Sequence, residues 1–300
     1  MNYSRNGIIK FNLCYKLLFT HSLGNAIEDF DLAIATDPTM AAAYYNRGRV
    51  YLQKSELERA LNDFNRAIQI NPRLSEAYIN RGVIQQIQRN FDEAIGEYSK
   101  AIELAPRALA GWNNRGMNYL EKGNWQAALA DFNQALALNG KSVEALIGRG
   151  IAYQMAGDLA AAVKDHTKAI ALNLNNPSAW DGRAVDYQRL GELEKSLSDS
   201  HQTLALKSDY PTFWFNRGST YLLQGEFAKA EADFTKSLAL DPSLTDALAA
   251  RGVARLKLGK ALEAQADFDR CLQINPKLKA QLEILKIETL NQTATKRREK

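Results

Sequence analysis

Residues 109–142 read LAGWNNRGMNYLEKGNWQAALADFNQALALNGKS, and the same skeleton returns in the blocks on both sides of it. Numbered from 1 at Leu109, the block carries Trp112 at position 4, Gly116 at 8, Tyr119 at 11, Ala128 at 20, Phe132 at 24 and Ala135 at 27. At about 100° per residue, positions 4, 8 and 11 share one face of a first helix, A, and positions 20, 24 and 27 share one face of a second, B. Gly123 between them is a helix stop. Small residues at 8, 20 and 27 let the two helices approach, and the rings at 4 and 24 fill what lies between them.

The tripeptide at positions 6–8 fixes the period. It recurs as Asn46-Arg47-Gly48, Asn80-Arg81-Gly82, Asn114-Arg115-Gly116, Gly148-Arg149-Gly150, Gly182-Arg183-Ala184, Asn216-Arg217-Gly218 and Ala250-Arg251-Gly252, always 34 residues apart. A fixed period of this length with helical spacing inside it means helical hairpins stacked one on the next. Pro72, Pro106, Pro242 and Pro276 close four of the blocks.

Aromatic at 4, glycine at 8, tyrosine at 11, alanine at 20, aromatic at 24, alanine at 27 and proline at 32 resembles the tetratricopeptide-repeat pattern. The resemblance implies an all-α, right-handed α-solenoid of about eight hairpins that binds protein and does not catalyse. Seven blocks follow at 41–74, 75–108, 109–142, 143–176, 177–210, 211–244 and 245–278, and Ala26, Phe30, Ala33 and Pro38 place a degenerate first repeat over 7–40. Residues 279–292 read as a capping helix and 293–300 as a disordered basic tail. Blocks five and six lose signature residues, with His166 and Ser200 at the ring position, which reads either as drift or as a hinge.

Position 7 is arginine in every block, where the family commonly has leucine. Position 23 answers it with an acid, giving Arg47 with Asp63, Arg81 with Glu97, Arg115 with Asp131, Arg149 with Asp165, Arg183 with Asp199, Arg217 with Asp233 and Arg251 with Asp267. Both positions fall on the same side of an antiparallel hairpin, so a structural ion-pair ladder, within a repeat or between neighbours, is expected rather than an anion-binding stripe.

Binding is expected on the face of helix A turned from the core. Position 6 places Asn46, Asn80, Asn114 and Asn216 there, and a carboxamide both donates to and accepts from a peptide backbone. This row is similar to the asparagine ladder of the nucleocytoplasmic sugar transferases, although Gly148, Gly182 and Ala250 interrupt it. The alternative is that these asparagines bond to a neighbouring helix. Arg49, Ile79, Val83, Met117, Ile147, Ile151 and Phe215 complete a candidate groove for an extended or helical peptide. The function expected is a protein-interaction scaffold or assembly chaperone, with the substrate-selecting arm of an enzyme on another chain as the alternative.

Composition limits the rest. Two cysteines among 300 residues, Cys14 and Cys271, give no disulfide framework, and neither they nor His166 and His201 form a metal-ligand set. No nucleotide, hydrolase or zinc motif occurs, so no cofactor is expected. The net charge of +4 is mild and no per-repeat base code is present, which argues against nucleic acid. No apolar run reaches the about 18 residues of a membrane span. Lys10, Asn12 and Lys16 break the apolar stretch from Ile8 to Phe19, so a signal peptide is not expected and the cytoplasm is the favoured compartment.

Overall fold

The computed structural model describes residues 23–298, with side chains from 24 to 289. The first helix of the degenerate first repeat therefore lies outside the described residues. The chain divides into a first unit ending at Gly148 and a second beginning at Arg149.

In the first unit, α1 (Leu23–Thr36) is followed by α2 (Ala41–Gln53), α3 (Leu57–Ile70), α4 (Ser75–Ile87), α5 (Phe91–Leu104), α6 (Leu109–Glu121) and α7 (Trp125–Leu138). The boundary falls inside α8 (Val143–Ala156). The second unit continues with α9 (Leu159–Leu172), α10 (Pro177–Arg189), α11 (Leu193–Leu206), α12 (Pro211–Gln224), α13 (Phe227–Leu240), α14 (Thr245–Lys257), α15 (Ala261–Ile274) and α16 (Lys279–Arg298). There is no strand among the described residues. Each helix from α1 to α7, and from α9 to α15, packs on the next, and A helices of successive hairpins also touch, α2 on α4 and α12 on α14 among them. This is the architecture of an α-solenoid.

Complementary sizes hold each hairpin together. Phe64, Tyr98, Phe132, Phe234 and Phe268 at position 24 are fully buried, as is Ala60, Ala94, Ala128, Ala230 or Ala264 one turn earlier. A Cβ added at Gly48, Gly82, Gly116, Gly218 or Gly252 would come within 2.6–2.9 Å of the ring in its own hairpin. Position 8 must therefore be glycine wherever position 24 is a ring. In the sixth block the ring is the buried Ser200, and position 8 is the buried Ala184. One side chain has shrunk and its neighbour has grown.

The turn between the two helices needs a left-handed residue. Gly123, Gly157, Gly191, Gly225 and Gly259 have φ of 76–84°, and Ser55 and Arg89 adopt φ of 60° and 62° at the same position.

At the C-terminal end, α16 lies on α14, and Leu282 joins Leu238, Leu248 and Phe268 in one buried cluster. Lys257 also donates to the Thr289 carbonyl. The cap expected over 279–292 does not stop there, because α16 runs to Arg298 and replaces most of the disordered tail expected from 293. No glycine or proline interrupts this stretch, and its lysines and arginines propagate a helix readily.

Candidate functional site

The arginine ladder forms, and it reaches further than its own hairpin. Arg115 donates Nε and Nη2 to the two oxygens of Asp131, both at 2.8 Å, in a fork on a carboxylate that is 4% exposed. Arg47, Arg149, Arg183, Arg217 and Arg251 fork in the same way onto Asp63, Asp165, Asp199, Asp233 and Asp267. Hydrogen bonding to these aspartates holds the Arg115 and Arg183 guanidinium groups above their ordinary pKa. The longer Glu97 meets only Nη2 of Arg81, at 2.8 Å, and leaves the buried Nε of Arg81 without an acceptor.

The remaining nitrogen, Nη1, turns to the preceding hairpin. It donates from Arg47 to Asp31, from Arg81 to Asn65, from Arg115 to Ser99, from Arg183 to Thr167 and from Arg251 to Thr235, each acceptor 16 residues before its arginine. The paired acids stand 16 residues after. Each of these arginines therefore braces two hairpins. The acceptors at position 25 were visible in the sequence as an unbroken polar column but point to nothing until the neighbouring helix is in place.

Rings flank the same guanidinium groups. Arg115 lies 5.2 Å from the Trp112 centroid and 5.9 Å from Tyr119, Arg183 lies 5.1 and 5.7 Å from Trp180 and Tyr187, and Arg217 lies 5.1 and 5.7 Å from Trp214 and Tyr221. Positions 4 and 11 are thus filled with aromatics by the charge between them as well as by the core.

On the other face of the A helices, the candidate groove residues divide. In the first unit Asn46, Ile79, Asn80, Val83, Asn114, Met117 and Ile147 are half-buried and Arg49 is exposed, with its guanidinium 5.7 Å from the Tyr45 ring. Asn80 donates to the Tyr45 hydroxyl on the preceding A helix at 3.3 Å. In the second unit Ile151, Phe215 and Asn216 are half-buried, Phe215 leans on Phe234 at 5.8 Å between centroids, and Asn216 donates to both oxygens of Asp181 at 3.0 Å. Two of the four asparagines therefore stitch neighbouring A helices together. Burial pushes the Asp181 carboxyl up to about 6, against the opposing pull of the Asn216 hydrogen bond and of nearby His166.

His166 fills the ring position of its hairpin. Its Nδ1 meets Oδ2 of Asp186 at 2.7 Å, both side chains are fully buried, and Gln154 donates to Oδ1 of the same aspartate at 2.6 Å. A Cβ at Gly150 or Gly182 would fall 2.5 or 2.6 Å from Nε2 of His166, and one at Gly148 would fall 2.3 Å from Phe132. Gly148 and Gly182 interrupt the asparagine row because a ring occupies the space their side chains would take. Packing around these rings is tight. Among the described residues no cluster of three or more His, Cys, Asp or Glu side chains is placed to hold a metal ion.

Family models described as tetratricopeptide repeat match residues 41–74 and 211–244, 75–108 and 109–142, and 245–278. The chain belongs to the tetratricopeptide-repeat family. No curated protein matches it in sequence. Among solved structures, a tetratricopeptide repeat protein from Parabacteroides merdae aligns with a TM-score of 0.65 at 23% identity, covering 85% of this chain and 98% of that one. The APC/C hetero-tetramer Cut9-Hcn1 aligns at 0.74 and 15% identity over 93% of this chain, which spans only 54% of that one. Pseudomonas aeruginosa pilF aligns at 0.59 and 20% identity, covering 69% and 94%. These likenesses share the tetratricopeptide-repeat fold. Proteins of the family are in general binding scaffolds for other proteins rather than catalysts. No helix among the described residues is long and apolar enough to cross a membrane.

Proposed function

We propose that the inner face of α2, α4 and α6 holds an extended or helical segment of a partner protein, and that the chain serves as a non-enzymatic scaffold or assembly chaperone. The observation that carries this reading is the state of Asn46 and Asn114. Both are half-buried, and neither side chain is hydrogen-bonded to another described residue, whereas Asn80 between them is. Two carboxamides with no partner among the described residues, beside Ile79, Val83 and Met117, offer backbone recognition next to an apolar strip, with the exposed Arg49 at one end. In the second unit Asn216 is already engaged, so Ile151 and Phe215 contribute shape there rather than polar contacts.

Blocks 143–176 and 177–210 belong to the same scaffold in this reading, supported by the Arg149–Asp165 and Arg183–Asp199 forks. A peptide library titrated against wild type and the Asn46→Ala, Asn114→Ala double variant tests the groove. Selected peptides should lose about tenfold or more in affinity, as expected for two hydrogen bonds of roughly 1 kcal/mol each. Equal affinities, with unchanged helicity, would overturn it.

A further inference from the structure

The family's ring at position 4 has a second partner besides arginine. Nε1 of Trp112, Trp180 and Trp214 donates to the backbone carbonyl six residues upstream, of Pro106 at 2.9 Å, Leu174 at 2.9 Å and Ser208 at 2.8 Å. Tyr78 uses its hydroxyl in the same way toward Pro72 at 3.3 Å. An aromatic ring with a polar hydrogen thus spans a guanidinium face and a loop carbonyl.

In the block from 245 both rings around the arginine are gone. Position 4 is Leu248 and position 11 is Arg255, so no ring lies on Arg251 among the described residues. Leu248 is 1% exposed and sits down in the core. Above it opens a cleft of about 340 Å³ lined by Thr235, Leu238, Ala239, Pro242, Leu248, Arg251 and Arg270. That volume is at the lower end of the about 300–1,000 Å³ of small-ligand sites. Pro242 stands six residues before Leu248, the offset at which the other blocks offer their acceptor carbonyl.

We propose that this cleft receives a tryptophan side chain from a partner polypeptide. The three internal tryptophans describe the occupant. Its indole lies over the uncovered face of Arg251, its N–H reaches the Pro242 carbonyl, and Leu238 and Leu248 form the floor. The ring arrives on a polypeptide rather than as free tryptophan, because the lining holds two arginines and no carboxylate to receive an α-ammonium group. This contact is separate from the groove of the first unit, and neither reading depends on the other.

The test uses the full chain and N-acetyl-L-tryptophanamide, followed by ligand-observed NMR and titration calorimetry, with free tryptophan and N-acetyl-L-leucinamide alongside. Saturable binding of the tryptophanamide is expected, with the leucinamide weaker by about tenfold for want of a ring on the guanidinium. Free tryptophan is expected to bind more weakly than the amide. Leu248→Trp supplies the chain's own indole and should abolish binding. Ala239→Trp, on the exposed side of α13, blocks the cleft from the opposite wall and decides the matter if Leu248→Trp does not fold. Absence of saturable binding, equal binding of the leucinamide, tighter binding of free tryptophan, or retention of binding in either folded variant would overturn the proposal.

Discussion

Replacing Arg115 with alanine is the sharpest probe of how the hairpins are held. The change leaves the Asp131 carboxylate, 4% exposed, without either of its two guanidinium donors, and stranding a buried charge costs about 3–5 kcal/mol. It also removes the bond to Ser99 and the cation from between Trp112 and Tyr119, together worth roughly 1–2 kcal/mol. At roughly 2–4 °C per kcal/mol, the thermal midpoint should fall by roughly 10 °C or more. Arg115→Lys keeps the charge but not the fork, and should fall between the two. The control is Arg115→Leu with Asp131→Leu. It strands nothing, and exchange of a buried ion pair for apolar groups is often neutral, so it should recover most of the loss. Thermal melts by circular dichroism give the ranking, and hydrogen exchange of α6 and α7 shows whether the loss is local. If the single and double variants melt alike, or if Arg115→Ala melts with wild type, the ladder is not what holds the hairpins.

Three further outcomes follow from the second unit and its border. Gly148→Ala brings a Cβ to 2.3 Å from Phe132 and should lower stability by about 1–3 kcal/mol in denaturant melts, although alanine is the better helix former. His166→Phe restores the family's ring but leaves the buried Asp186 with Gln154 as its remaining side-chain donor, so it should destabilise by about 3 kcal/mol, and Asp186→Ala added to it should return most of that in the same melts. Asp181→Asn tests the raised carboxyl. The folded chain binds that proton more tightly than the unfolded chain, so the stability Asp181 contributes is present below its ordinary 3.8 and lost as pH rises through about 6. Wild type and Asp181→Asn should therefore melt together near pH 3.5, diverge as pH rises from about 4 to about 6 and stay apart above that, the variant being the more stable by up to about 3 kcal/mol, less what the partial exposure of Asp181 screens.

The period, the hairpins and the arginine–acid pairs were legible because each is a statement about spacing within one block. What was not legible depends on the block next door. Position 25 shows only as a column of small polar residues, Asn65, Ser99 and Thr167 among them, until the following arginine is laid beside it. The asparagines were ambiguous for the same reason. A side chain's rotation about its own helix gives its face, but not whether a Tyr45 or an Asp181 on the preceding helix waits there. Gly148 and Gly182 read as lost asparagines because a sequence shows the missing side chain and not the ring in its place. The vacancy at Leu248 was equally silent, since leucine at position 4 also occurs at Leu146 and is unremarkable in a list of apolar residues.

The bracing of Arg47, Arg81, Arg115, Arg183 and Arg251 is written in chain distance alone, 16 residues forward to an acid and 16 back to a polar side chain. Such a rule has no preferred origin. Excising residues 75–108 would bring Asn65 to the place Ser99 now holds before Arg115, and inserting a copy of the block would repeat every bond in phase. A cut that is not a whole number of 34-residue blocks would put the first arginine after it out of step with the polar side chain of the preceding hairpin. The ladder therefore acts as a reading frame at the level of tertiary structure, under which the array can lengthen or shorten only by whole repeats.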